Sequence, residues 1–162
     1  MDPTNLYRPS DESERQLIGA LLIDPTVITQ AAALVKPSDF YLWEHARLFE
    51  AITQLGEMAD RLTVEQALKR MPAADRAHHK DAAAEIAASH NAIDTYLAIM
   101  QADVVSAMNW PQHAREVTDH ALRRRLLAYA NNVASMANDQ QRPAAELVDV
   151  AMAELTKAAA DQ

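Results

Sequence analysis

Residues 12–25 read ESERQLIGALLIDP. A charged start turns within a few residues into the apolar run Leu17–Ile23 and then stops at Asp24-Pro25. This pattern describes a helix with both ends specified. Asp11 is placed to accept from the free backbone donors of the first turn, and Glu14, three residues on, to reach back in a capping box. Leu17, Ala20 and Leu21 fall at helical spacing, with Ile18 and Leu22 widening the stripe. Gly19 in the middle of the run allows another helix to cross closely. Pro25 ends the first helix and opens a second one through Val35, because at a first turn its missing N–H costs nothing.

Further helices follow. KPSDFY (36–41) reads as a turn, and LWEHARLFEAITQL (42–55) as an amphipathic helix with Trp43, Leu48, Phe49, Ile52 and Leu55 toward the core. Gly56 stops it. Thr63 and Gln66 repeat the capping-box spacing at the start of another helix, which Pro72 closes. Residues 73–90 are alanine-rich with Ile86 as their one large aliphatic, and Asn91 is placed to cap AIDTYLAIMQ.

The last third changes character. From Pro111 no helix breaker appears for about thirty residues, and Ala114, Val117, Ala121, Leu122, Leu126, Tyr129, Val133 and Met136 form a narrow seam. Gln141-Arg142-Pro143 breaks the helix, and a final one carries Leu147, Val150, Ala151 and Leu155 on one face. Two consecutive long helices with a short break pack most simply as an antiparallel hairpin. The expected fold is therefore all-α: a flexible lead-in (1–9), a compact bundle of short helices forming a head (10–103), and a long antiparallel helical hairpin (109–160).

Composition supports this reading and excludes several classes of function. Two glycines in 162 residues, against abundant alanine, favour helices over sheets. The absence of cysteine rules out disulfides and thiolate metal sites and fits a reducing cytoplasm. No apolar run approaches a membrane span, and the N-terminus lacks the plan of a signal peptide. A net charge of −8 argues against direct DNA binding.

Catalytic signatures are missing from the chain. Neither glycine belongs to the GxxxxGK[ST] pattern that cradles a nucleotide's phosphates. No GxSxG occurs, and the carboxylates are scattered singly. His113, Glu116 and His120 share a helix face, but the plain reading of them is surface or interhelical histidine. No enzyme activity, cofactor or metal is expected. Arg123–Arg125 form the one dense basic cluster. Three adjacent positions spread around a helix, so pairing with carboxylates such as Asp119 or Glu116 accounts for them better than a DNA-facing stripe.

Taken together, ESERQLIGALLIDP, VKPSDFYLWEHARLFEAI, YLAIM and SAMNWPQHAREVTDHALRRRLL resemble the N-terminal domain of DnaB-type replicative DNA helicases. The matching residues are Glu14 and Gln16 with Gly19–Leu22; Pro37, Asp39, Phe40, Tyr41 and His45; Tyr96 and Leu97; and Asn109 with Arg124 and Arg125. The chain departs from the family at SHNAIDTYL, where a Gly-Gly pair is usual, and at His113-Ala114, where Tyr-Ala is usual. The resemblance implies a non-catalytic collar domain in which dimers built through the hairpins assemble into a hexamer, with primase and in some systems a loader docked on it. The ATP-driven motor would lie in a separate downstream domain. A stand-alone adaptor or inhibitor of a helicase or primase is the alternative.

The hairpin is the expected interface. Val117, Ala121, Leu122, Leu147 and Val150 are the candidates for oligomer contacts. Trp110, Arg124, Arg125, Gln140 and Arg142 are the candidates for docking a partner, although Trp110 also suits a packing anchor.

Overall fold

The computed structural model describes residues 11–70, 90–138 and 143–160. Among them are seven α-helices and no strand: α1 (Glu12–Ile23), α2 (Ile28–Leu34), α3 (Trp43–Leu55), α4 (Arg61–Arg70), α5 (His90–Asp103), α6 (Trp110–Ala137) and α7 (Ala144–Ala160). Short 3-10 turns at Pro25–Val27, Pro37–Asp39, Gly56–Met58 and Ala107–Asn109 link several of them. Of the alanine-rich stretch 73–90, whose composition predicts a helix, residues 73–89 lie outside the described residues. No single described helix is long and apolar enough to cross a membrane.

The described residues fall into two compact units, one running through Thr118 and the other from Asp119 onward. The division lies inside α6 and not before it. Trp110, Ala114 and Val117, spaced i, i+4, i+7, are all buried and belong to the core of the head. The opening two turns of the long helix are thus a wall of the head, and its remainder pairs with α7.

At the centre of the head lies α1. Leu17, Ile18, Ala20, Leu21 and Leu22 are all buried, so this middle part of the helix is enclosed on every side and not along one stripe. It packs on α3, on α5 and on the 3-10 turn before α6. The crossing with α5 depends on Gly19. A Cβ there would overlap the Met100 carbonyl oxygen and lie 2.7 Å from Val104 Cγ2. Phe40 and Phe49 pack with ring centroids 5.0 Å apart and planes tilted by 38°, and Ile52, Val64, Leu97 and Met100 are further members of the core.

Several helix ends differ from their expected form. Asp11 is the N-cap residue of α1 but makes no side-chain capping bond, and Glu14 is spent elsewhere. Asp24 Oδ1 accepts from Thr26 N at 3.2 Å, so Asp24-Pro25 opens a 3-10 turn ahead of α2. Asp39 Oδ2 closes the KPSDFY turn by accepting from Lys36 N at 2.9 Å. At the start of α4 the reciprocal bonds join Asp60 and Thr63, with Thr63 N donating to Asp60 Oδ1 at 2.7 Å and Asp60 N to Thr63 Oγ1 at 2.8 Å. That helix therefore begins two residues before Thr63, because Asp60 supplies an acceptor that the Thr63–Gln66 spacing overlooks. Asn91 lies within α5 and not ahead of it. Gly56 ends α3 at φ 57°, a conformation that glycine adopts without steric cost.

In the second unit, Tyr129 Oη donates to the Ala151 carbonyl at 2.6 Å. This bond joins α6 to α7.

Candidate functional site

The polar groups of the head are organised around α1. Glu14 is buried, and its carboxylate accepts from Tyr41 N and from Leu42 N (3.3 Å) at the start of α3. It also lies 2.7 Å from His45 Nδ1, and His45 Nε2 lies 2.7 Å from the Tyr96 hydroxyl on α5. With Glu14 ionised, Nδ1 carries the hydrogen and donates to it. Three helices are thus tied through one carboxylate and one imidazole. Burial pushes the Tyr96 hydroxyl above its ordinary range, so it stays protonated and suited to bonding the ring. Every polar atom in this chain of contacts is engaged within the head, which makes it a brace and not a reactive site.

A second polar group opens to solvent. Ser13 Oγ donates to Glu116 Oε2 at 2.6 Å, joining α1 to α6, and Gln112 Nε2 donates to Glu116 Oε1 at 3.0 Å. The Ser13 hydrogen bond is the main reason the Glu116 carboxyl sits below its ordinary range; burial opposes it, and Gln112 and then His113 add to the lowering. His113 Nδ1 is 3.6 Å from Glu116 Oε2. Ser13, His113 and Glu116 border a cleft of about 510 Å³ that Glu12, Gln16, Val105, Ser106 and Asn109 also line. Beside Glu12, Arg15 pairs with Asp103, and Gln16 Nε2 donates to the Asp103 carbonyl at 3.0 Å. Among the described residues no three His, Asp or Glu side chains are grouped to hold a metal ion, so His113, Glu116 and His120 do not form one.

The residues expected at an interface separate into groups. Trp110 is 8% exposed and Val117 1%, both in the head core, so neither offers a surface for docking or for hairpin contacts. The apolar positions of α6 run on without interruption from the head into the hairpin, which is why spacing alone assigned Val117 to the seam. Ala121 is buried, Leu122 and Leu147 are half-buried, and Val150 is exposed. Arg124 and Arg125 are half-buried, whereas Arg123 pairs with Asp119 at 2.7 Å. Gln140 and Arg142 lie outside the described residues. Burial, followed by the charges of Arg124 and Arg123, lowers the His120 pKa.

The apolar surface of the hairpin extends beyond its seam. On α7, Leu147 and Ala151 are half-buried on the side of the Tyr129–Ala151 contact. Val148, Met152 and Leu155, at i, i+4, i+7, form a neighbouring stripe in solvent, with Met152 65% exposed. Leu126 and Leu127 of α6 are exposed as well. One partner helix covers one stripe, and α7 carries more apolar arc than α6 covers.

The class defined by these elements is an all-α domain, a helical head whose last helix continues into a hairpin. Residues 8–119 match the family model of the DnaB-like helicase N-terminal domain. The chain is 32% identical over 148 residues to the replicative DNA helicase DnaB of Rhodothermus marinus, covering 89% of this chain and 14% of that protein. It is 29% identical over 132 residues to the DnaB of Geobacillus stearothermophilus, covering 77% of this chain and 25% of that protein. The crystal structure of the N-terminal domain of DnaB helicase from Mycobacterium tuberculosis superposes with a TM-score of 0.70 at 26% identity, covering 93% of this chain and 99% of that one. The chain belongs to the DnaB-like helicase N-terminal domain family.

Proposed function

We propose that this chain is the oligomerisation and docking domain of a replicative DNA helicase, contributing no catalytic group of its own. The hairpins would pair two copies, the dimers would assemble into a hexameric collar, and the collar would carry primase and, in some systems, a loader. In a protein of the relatives' length, ATP-driven unwinding would belong to the remainder of the chain. The observation that carries this reading is the uncovered apolar stripe of α7, Val148, Met152 and Leu155, on a hairpin too thin to bury it. Exposed apolar surface of this kind marks protein–protein contact sites. Oligomer contacts are assigned to Leu122, Leu147 and Val150, and partner contacts to Arg124 and Arg125.

A calorimetric titration with the C-terminal domain of the primase from the same source tests the docking role, with light scattering on both samples. Saturable binding supports docking of primase. Absence of binding by a chain that still forms dimers or hexamers removes primase as the partner and leaves the ring-building role.

A further inference from the structure

We propose that the cleft beside the first turn of α1 receives an Arg or Lys side chain from an extended segment of a partner protein. The site lies wholly within the head and does not rely on the hairpin reading above. Its chemistry is one-sided. Glu12 from α1 and Glu116 from α6 contribute carboxylates, and no Lys or Arg lines the cleft. The nearest cation along α1, Arg15, is held by Asp103. Glu116 keeps lone pairs free after accepting from Ser13 and Gln112, since a carboxylate offers about four acceptor positions. The Ser106 hydroxyl and the Asn109 amide add neutral acceptors along the same wall. A guanidinium or ammonium group supplies donors and no acceptors, which complements this lining, whereas an anion would meet two carboxylates.

The second half of the recognition is apolar. Val105, which lines the cleft, is 95% exposed, and Met108, three residues on, is 86% exposed. Val105, in full solvent on the wall of a charged cleft, suits the methylene stem of a basic residue, and Met108 on the same short segment offers further exposed apolar surface nearby in sequence. The cleft, about 510 Å³ and open to solvent on one side, has room for a long side chain entering from outside. The net charge of −8 adds long-range attraction for a basic partner.

The test is a nitrogen-15 NMR titration of the whole chain with the blocked tripeptide acetyl-Leu-Arg-Leu-amide, using acetyl-Leu-Glu-Leu-amide as control. Saturable shifts are expected at Ser13, Gln16, Val105–Asn109 and His113, with a dissociation constant of about 1 mM for so short a probe. Added salt should weaken them. The double variant Glu12→Gln, Val105→Ser alters two outward-facing side chains and should keep the spectrum of a folded head while weakening binding at least about fivefold. Equal shifts with the glutamate peptide, shifts scattered over the surface, or unchanged affinity in the double variant would each overturn the proposal. Shifts at the same residues on raising the protein concentration alone, with no peptide, would give the cleft to a second copy and overturn it equally.

Discussion

The Glu14 carboxylate and the His45 ring meet at 2.7 Å, both buried, across 31 positions of sequence. The same carboxylate takes the backbone N–H groups of Tyr41 and Leu42, so one side chain of α1 both caps α3 and fixes its imidazole. Glu14→Ala would leave two backbone donors and a ring N–H without an acceptor. Each buried donor left without a partner costs about 1–3 kcal/mol. Glu14→Gln keeps an acceptor for the backbone but turns an N–H toward Nδ1, so the ring must change tautomer and its bond to Tyr96 must reverse. Urea denaturation should rank the stabilities as native, then Gln, then Ala. An alanine variant as stable as the native chain would show that the network carries no load.

The close crossing of α1 and α5 gives a second test. The Cβ of Gly19→Ala would meet the Met100 carbonyl, which is backbone and cannot swing aside. The helices must separate in a core that tolerates little overpacking, at a cost of about 1–3 kcal/mol, although alanine is intrinsically the better helix former. A raised melting temperature for this variant would contradict the crossing.

Among the described residues His120, Glu116 and Asp60, the last through its bonds from Thr63, all hold a proton less tightly in the fold and act in the same direction on acidification. His120 holds its proton less tightly in the fold than in the unfolded chain, chiefly through burial. Its contribution is complete above about pH 6.5 and is lost as pH falls from there through the lower folded value. Glu116 is depressed mainly by the Ser13 hydrogen bond. Its contribution is complete above about pH 4.3 and is lost as pH falls through its own folded value. Stability should therefore decline in two stages on acidification. Ser13→Ala should raise the Glu116 pKa toward its ordinary value and shallow the second stage, as read from carbon-13 carboxyl titration and denaturation at stepped pH. An unchanged Glu116 titration in that variant would contradict the assignment.

Local chemistry made much of the fold legible. The apolar run Leu17–Leu22, the stop at Gly56 and the long uninterrupted seam of α6 were readable because periodicity and turn residues act over a few positions. Glu14 shows where such reading ends. Its spacing from Asp11 satisfies a capping box, but the better acceptor geometry lies with Tyr41, Leu42 and His45, which no local pattern connects to it. Trp110 and Val117 show the same limit from the other side. One apolar stripe serves two partners in succession, and spacing does not say where the head ends. The cleft gave no signal at all, since Glu12 and Glu116 come together only once α1 and α6 are packed.

The self-association proposed for the hairpin is tested most directly by light scattering of the native chain beside Met152→Asp and Leu122→Asp over a range of concentrations. Met152 lies on the exposed stripe and Leu122 on the half-buried seam. Pairing through the hairpin predicts that the native chain elutes as a dimer or larger species and that Met152→Asp reduces it to a monomer with unchanged helix content, because an unpaired charge would enter an apolar contact. Leu122→Asp should dissociate the assembly as well, with some loss of helix. A native chain that remains monomeric at every concentration, or a Met152→Asp variant of unchanged mass, would contradict the hairpin as the interface.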